Sequence, residues 1–72
     1  MSYKVPDQGY VVFSGPGCPN CTTLKNSLTA KGIQFTEVNV RENEEARGFL
    51  LEQGFRGIPQ LYINGVHSQL NG

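Results

Sequence analysis

Hydrophobic and polar positions along this chain change period in a way that marks out strand, helix, strand, helix and hairpin. Tyr10-Val11-Val12-Phe13 is a continuous apolar run with β-branched residues at its centre. So short a run is read as a strand buried on both faces, and therefore as a central one. The spacing then changes to that of a helix, with Cys21, Leu24 and Leu28 forming a stripe that faces the sheet. Lys31 meets the negative end of the helix dipole, Gly32 supplies the left-handed residue after the last turn, and Ile33 can return to Leu28 in a Schellman ending. Phe35 to Val40 alternates as an edge strand does, with Thr36, Val38 and Val40 on one face and Glu37 and Asn39 on the other. Asn43 is placed to cap a second helix, with Glu44 and Glu45 in its first turn and Ala46, Phe49, Leu50 and Gln53 on its inner face. Gly48 weakens that helix by about 1 kcal/mol relative to alanine, and Gly54 ends it with Phe55 set to touch Leu50. Leu61 to Ile63 and Val66 to Ser68 flank Asn64-Gly65, the pair best suited to a type I′ turn, in which both central residues need positive φ.

These elements assemble in one way that obeys chain topology. A right-handed crossover makes the first two strands parallel, and the hairpin adds two antiparallel strands. The expected architecture is an α/β fold, β-α-β-α-β-β, with a four-stranded mixed sheet. Residues 1–72 read as a single domain, near the lower limit of what one core can stabilise without staples. Residues 1–8, polar and carrying Pro6 and Asp7, read as a loosely held lead-in.

Charge and apolar content narrow the function classes. Six basic and six acidic side chains cancel, leaving no net field to draw nucleic acid or an acidic membrane surface. The N-terminus lacks the apolar core of a signal peptide, and no run approaches the roughly 18 apolar residues of a membrane helix. A reducing, cytoplasmic setting is the default expectation.

Against that plain background stands Cys18-Pro19-Asn20-Cys21, at the point where the first strand hands over to the first helix. Two cysteines in this spacing at a helix start are the sequence form of a redox pair. Read as a helix, Cys18 is the N-cap, Pro19 the first helical residue and Cys21 the third. Proline suits its position because that amide has no intrahelical partner and its φ is already helical. Unpaired amides and the positive end of the dipole favour an anion there, and the reactive form of cysteine is the thiolate. Cys18 is thus the attacking thiol. Cys21, one turn deeper on the same face, can resolve a mixed disulfide formed at Cys18. A disulfide closing so small a loop adds little as a staple. Lys25 returns to the same face, so its ammonium can approach the thiolate region without touching it.

With Cys18-Pro19-Asn20-Cys21 opening the first helix, Gly57-Ile58-Pro59-Gln60 before the hairpin and Tyr62-Ile63-Asn64-Gly65 at its turn, the chain resembles the glutaredoxins from about Tyr10 to His67. Phe55-Arg56 followed closely by Pro59 also resembles the small redoxins that donate hydrogen to ribonucleotide reductase. The resemblance implies a thioredoxin-like fold and a cis bond between Ile58 and Pro59. It also implies a substrate or glutathione site involving Pro19, Asn20, Lys25, Ile58 and Pro59, with Ile58 offering its backbone groups to an extended substrate. A protein disulfide, with ribonucleotide reductase as one candidate, is the implied client. Glutathione or thioredoxin reductase is the implied reductant, with no tightly bound cofactor.

Several positions depart from that family's pattern. Glutaredoxins usually carry a basic residue where this chain has Gly15 and often a tyrosine where it has Asn20. After the hairpin they have a glycine pair and an acidic residue for the γ-glutamyl end of glutathione, and this chain reads Ser68-Gln69-Leu70-Asn71-Gly72. The family's third helix has no counterpart, so apolar sheet surface beside the first helix is expected to lie uncovered, with marginal stability or self-association. The departures touch glutathione recognition, for which Lys25, Arg41 and Arg56 are the remaining cations, and leave the dithiol chemistry intact. Two rival functions stay open: a metal or iron-sulfur binding module, for which Cys18 and Cys21 supply half of a tetrahedral site with His67 the only histidine, and a non-catalytic interaction remnant.

Overall fold

The computed structural model describes residues 3–68. It contains β1 (Tyr10–Ser14), α1 (Pro19–Ala30), β2 (Phe35–Asn39), α2 (Glu44–Glu52), β3 (Gln60–Ile63) and β4 (Val66–Ser68). The four strands form one mixed sheet in the order β2-β1-β3-β4, with β1 parallel to β2 and antiparallel to β3. This is the architecture expected from the hydrophobic pattern, with the apolar run at the centre and the alternating strand at the edge.

Alternation along β1 assigns each helix its side. Val11 and Phe13 point to one face, where they pack with Tyr62, Val38, Val40 and the α2 residues Ala46 and Leu50. Val12 points to the other and packs with Leu61 and the α1 residues Leu24 and Leu28. Each large apolar side chain so buried contributes roughly 1.5–3 kcal/mol. On the α1 side Tyr10, Ile33, Phe35 and Ile63 are half-buried at the margin of the cluster.

Both helices end by the same device. Ile33 N–H donates to Leu28 C=O at 2.9 Å and Gly32 N–H to Thr29 C=O at 3.0 Å; Phe55 N–H donates to Leu50 C=O at 2.9 Å and Gly54 N–H to Leu51 C=O at 3.0 Å. These are paired Schellman motifs, with Gly32 at φ 74° and Gly54 at φ 88°. Asn43 caps α2 by accepting the Ala46 amide at 3.0 Å. The hairpin turns through Asn64 and Gly65, both at positive φ, and pairs Ile63 with Val66.

Three expectations need correction. Gln53 is exposed and forms the C-cap of α2 rather than part of its inner face, because the Schellman ending begins at Leu50. Thr36, on the edge strand and outside the α2-side cluster, is exposed where Val38, within that cluster, is buried. The lead-in is held: Tyr3 and Val5 pack against the α2-side cluster, the Tyr3 ring lying 5.6 Å from that of Phe13 and 6.2 Å from that of Phe49. Gly9 joins the hairpin through its amide to Asn64 Oδ1 and its carbonyl from the Asn64 amide, each at 2.9 Å. The expectations for Met1-Ser2 and for Gln69-Leu70-Asn71-Gly72 lie outside the described residues.

Tyr3→Ala is expected to lower stability by about 2 kcal/mol, the worth of a partly buried aromatic with two ring partners. Urea unfolding measures this, and a midpoint equal to that of the parent protein would return residues 3–8 to the status of an unattached leader.

Candidate functional site

β1 delivers the chain to the site and α1 carries it away. Ser14, the last residue of β1, is buried, and Gly15-Pro16-Gly17 turns the chain so that Cys18 becomes the N-cap of α1, with extended backbone at φ −111° and ψ 102°. Pro19 occupies the first helical position as expected. The Cys18 sulfur takes the role a serine or aspartate oxygen usually fills, accepting the Cys21 amide at 3.3 Å. Its other neighbour is the Ile58 carbonyl, 3.7 Å away, to which the thiol donates. The Ile58–Pro59 bond is cis, as the resemblance implied, and the Ile58 carbonyl contact puts the loop before β3 against the N-terminus of α1.

The two sulfurs are unlike each other. Cys18 is half-buried and Cys21 buried, and they are not bonded. Hydrogen bonding from the Cys21 thiol, reinforced by the Cys21 and Asn20 amides and by the charge of Lys25, holds the Cys18 pKa below that of an ordinary thiol, against a smaller opposing effect of burial. Burial, together with its bond to Cys18, pushes the Cys21 thiol up to about 11. Of the two, the outer sulfur is therefore the one that ionises first.

Lys25 has a different companion from the one its spacing suggested. Its ammonium lies 2.7 Å from Glu37 Oε2 on β2, and the Ser14 hydroxyl donates to the same oxygen at 2.8 Å. Both donors hold the Glu37 carboxyl below its usual range. The pair is open to solvent, with 29% and 43% of the two side chains exposed, so its net worth is at most about 1 kcal/mol. Its effect is positional: α1, β1 and β2 are tied together behind the cysteines, and the charge of Lys25 reaches Cys18 as the weakest of the influences upon it. Nothing in the spacing of Lys25, Ser14 and Glu37 announced this triad, because its members come from separate elements.

Pro19 and Asn20 are exposed on the outer turn, and Ile58 and Pro59 are half-buried opposite Cys18. Of the residues named from sequence, Ile58 meets the Cys18 sulfur through its carbonyl and Asn20 acts on it through its amide, while the Lys25 ammonium is drawn toward β2. Gly15 takes part in a way sequence reasoning missed. A Cβ there would lie 2.9 Å from Ile58 Cδ1 and 3.5 Å from Arg41 Cγ, so Ile58 and the stem of Arg41 fill the place of the absent side chain. His67 stacks on Phe55 at 4.3 Å and shares a 2.8 Å hydrogen bond with Gln60. Among the described residues no three of His, Cys, Asp and Glu gather as metal ligands would, and no helix is long and apolar enough to cross a membrane.

A family profile for Glutaredoxin matches residues 10–68. N-acetyl-S-hydroxy-L-cysteine reductase of Bacillus subtilis (strain 168) is 39% identical over 63 residues, covering 86% of this chain and 67% of that protein. A glutaredoxin of Neisseria meningitidis is 34% identical over 62 residues, covering 83% of this chain and 73% of its own length. Among solved structures, wheat glutaredoxin superposes with a TM-score of 0.74 at 33% identity over 82% of this chain, which spans 59% of the wheat protein.

Iodoacetamide at neutral pH is expected to label Cys18 alone. The sign follows from the shifts: an acid with a lowered pKa is already thiolate below the pH at which ordinary cysteines react, while one raised to about 11 stays protonated there. Mass spectrometry of the labelled protein across pH 5 to 9 reads this, and preferential labelling of Cys21 would reverse the assignment.

Proposed function

Because the chain belongs to the glutaredoxin family, we propose that it works as a dithiol-disulfide oxidoreductase in which Cys18 attacks and Cys21 resolves. The observation that carries this is the asymmetry of the pair, with a low-pKa sulfur at a helix start and a high-pKa sulfur buried behind it. In the first step the Cys18 thiolate forms a bond to one sulfur of a substrate disulfide, that disulfide breaks, and the departing sulfur leaves as a thiolate that takes up a proton. Cys21 then gives up its proton and attacks Cys18, the mixed disulfide breaks, and the second substrate sulfur leaves. The substrate gains two electrons, and the protein holds them no longer, ending with a Cys18–Cys21 disulfide.

The surroundings support each step. The Cys21 and Asn20 amides stabilise the thiolate before attack and do so less once its charge is lost to a mixed disulfide. That change also removes the bond to Cys18, the second influence after burial that raises the Cys21 pKa, which favours its ionisation when it must attack. Pro19, Asn20, Ile58 and Pro59 form the rim on which an extended substrate would lie, and the Ile58 backbone is the edge it would pair with. Glutathione or a thioredoxin reductase would return the electrons, with Lys25, Arg41 and Arg56 as the cations available to the carboxylates of glutathione. A protein disulfide such as that of ribonucleotide reductase is the client the sequence resemblance suggests, and a reducing compartment such as the cytoplasm would suit the pair.

The Bacillus subtilis relative favours a second substrate class for the same two sulfurs. Its name describes reduction of N-acetyl-S-hydroxy-L-cysteine, a small sulfenic acid. Here Cys18 would attack the sulfenyl sulfur with loss of water, and Cys21 would release the thiol.

Cys18→Ser is expected to abolish reduction of both a protein disulfide and N-acetylcysteine sulfenic acid, whereas Cys21→Ser should accumulate a mixed disulfide with the substrate. Gel shift and intact mass follow the trapped species. Retention of turnover in Cys18→Ser would remove the mechanism.

A further inference from the structure

Gly57, Gln60 and His67 are joined by two hydrogen bonds that the dithiol chemistry described so far does not use. The Gln60 side chain donates through Nε2 to the Gly57 carbonyl at 2.9 Å, and its Oε1 lies 2.8 Å from His67 Nε2. A carbonyl oxygen can only accept, so the carboxamide must turn its NH2 toward Gly57 and its oxygen toward the ring. The ring nitrogen facing that oxygen must then be the one that carries a proton. The neutral imidazole is thereby fixed as the Nε2–H tautomer.

The far end of this relay is well anchored. Gln60 opens β3, where its backbone stands opposite Phe13 of β1, and His67 stands opposite Tyr62 in the β3–β4 hairpin. The His67 ring is stacked on Phe55 at 4.3 Å and meets the Tyr62 ring edge-on at 5.3 Å, which restrains it from turning away from Gln60. Gly57, by contrast, is exposed, and nothing lies within 4 Å of the place a Cβ would take. With no side chain to hold this residue, its carbonyl is steadied by Gln60. That carbonyl belongs to the same planar peptide group as the Ile58 N–H, and in a trans peptide the two point in opposite directions. Fixing the oxygen on Gln60 therefore aims the Ile58 N–H away from Gln60, while the Ile58 carbonyl faces the Cys18 sulfur at 3.7 Å.

We propose that His67 and Gln60 are positioning residues for the client: by holding the Gly57–Ile58 peptide plane, they keep the Ile58 N–H set to pair with the backbone of an extended, disulfide-bearing peptide. The proposal rests on the dithiol reading above, and in particular on Ile58 as the edge against which a client lies. Their effect is on where a peptide lies and not on the reactivity of Cys18, which is set by the start of α1. A small disulfide without amide groups gains nothing from them.

The test reacts the reduced full chain in single turnover with two substrates: a short peptide closed by its own disulfide, and hydroxyethyl disulfide, which has no amide group. His67→Phe keeps a ring against Phe55 and removes the donor, whereas His67→Gln keeps a donor and removes the ring. His67→Phe should raise the half-saturating concentration of the peptide roughly five- to tenfold, as the loss of one positioning hydrogen bond would, with its limiting rate and the rate on hydroxyethyl disulfide unchanged. His67→Gln should recover most of the loss, and in a Gln60→Met background His67→Phe should have no further effect. Nitrogen NMR of the parent protein at about pH 8, where imidazole is neutral, should find the ring proton on Nε2. The Ile58 amide resonance senses hydrogen bonding at the carbonyl of its own peptide group, and it should move in His67→Phe and return in His67→Gln. Equal losses on both substrates, no loss on the peptide, no rescue by His67→Gln, a proton on Nδ1, or an Ile58 resonance unmoved in His67→Phe would each overturn the proposal and leave the dithiol reading standing. A parent protein that reduces neither substrate would refute the dithiol reading and the positioning role with it, leaving the two NMR signatures to show the relay alone.

Discussion

A sulfur atom in the place of a helix cap is the arrangement on which this site depends. The first amides of a helix lack partners within it, and here the group that meets the Cys21 amide is the Cys18 sulfur, at 3.3 Å. A cap of this kind is better as an anion than as a neutral thiol, so the backbone that starts α1 also selects the ionised form of its first residue. The two sulfurs are set against each other, since Cys18 gives up its proton more readily than an ordinary thiol and Cys21 holds its own more tightly. Reactivity and local fold are in this sense one interaction, and the helix need not be distorted to obtain it.

Everything else serves to present that cap. β1 is buried on both faces, its odd and even residues claimed by different helices, so the end of the strand is fixed from two sides. Aromatic rings on the α2 side, with Phe13 stacked at 6.0 Å on Phe49 and edge-on at 5.5 Å to Tyr62, give the strand a dense support. The Schellman endings turn the chain back toward the sheet after each helix, the second of them seating Phe55 on the α2-side cluster ahead of the loop in which Ile58 meets Cys18.

What could be read from the sequence was what residues near one another decide. Helix caps, the proline at the start of α1, both glycine endings and the Asn64-Gly65 turn rest on contacts within a few positions, and each lies where its local chemistry placed it. The alternation in β1 and the stripe from Cys21 to Leu28 were equally legible, because periodicity needs no knowledge of the partner. Contacts between distant segments were not. Tyr3 belongs to a polar leader by composition and to an aromatic cluster by position. Lys25 was read against the cysteines of its own helix, yet the nearer anion is Glu37 on a neighbouring strand. Arg41, Arg47 and Arg56 are scattered in sequence, and only the folding of α2 against the following loop gathers them along one groove.

The closeness of Gly15 and Ile58 makes these two positions a coupled pair under substitution. A side chain at 15 and the Cδ1 methyl of Ile58 would share one volume, with the first Cβ only 2.9 Å from that methyl. Valine at 58 lacks the atom in question. The effect of enlarging residue 15 therefore depends on what stands at 58, and the two changes are non-additive. The order of replacement then matters: a variant that trims 58 first reaches a filled position 15 without displacing the wall beside Cys18, and one that fills 15 first does not.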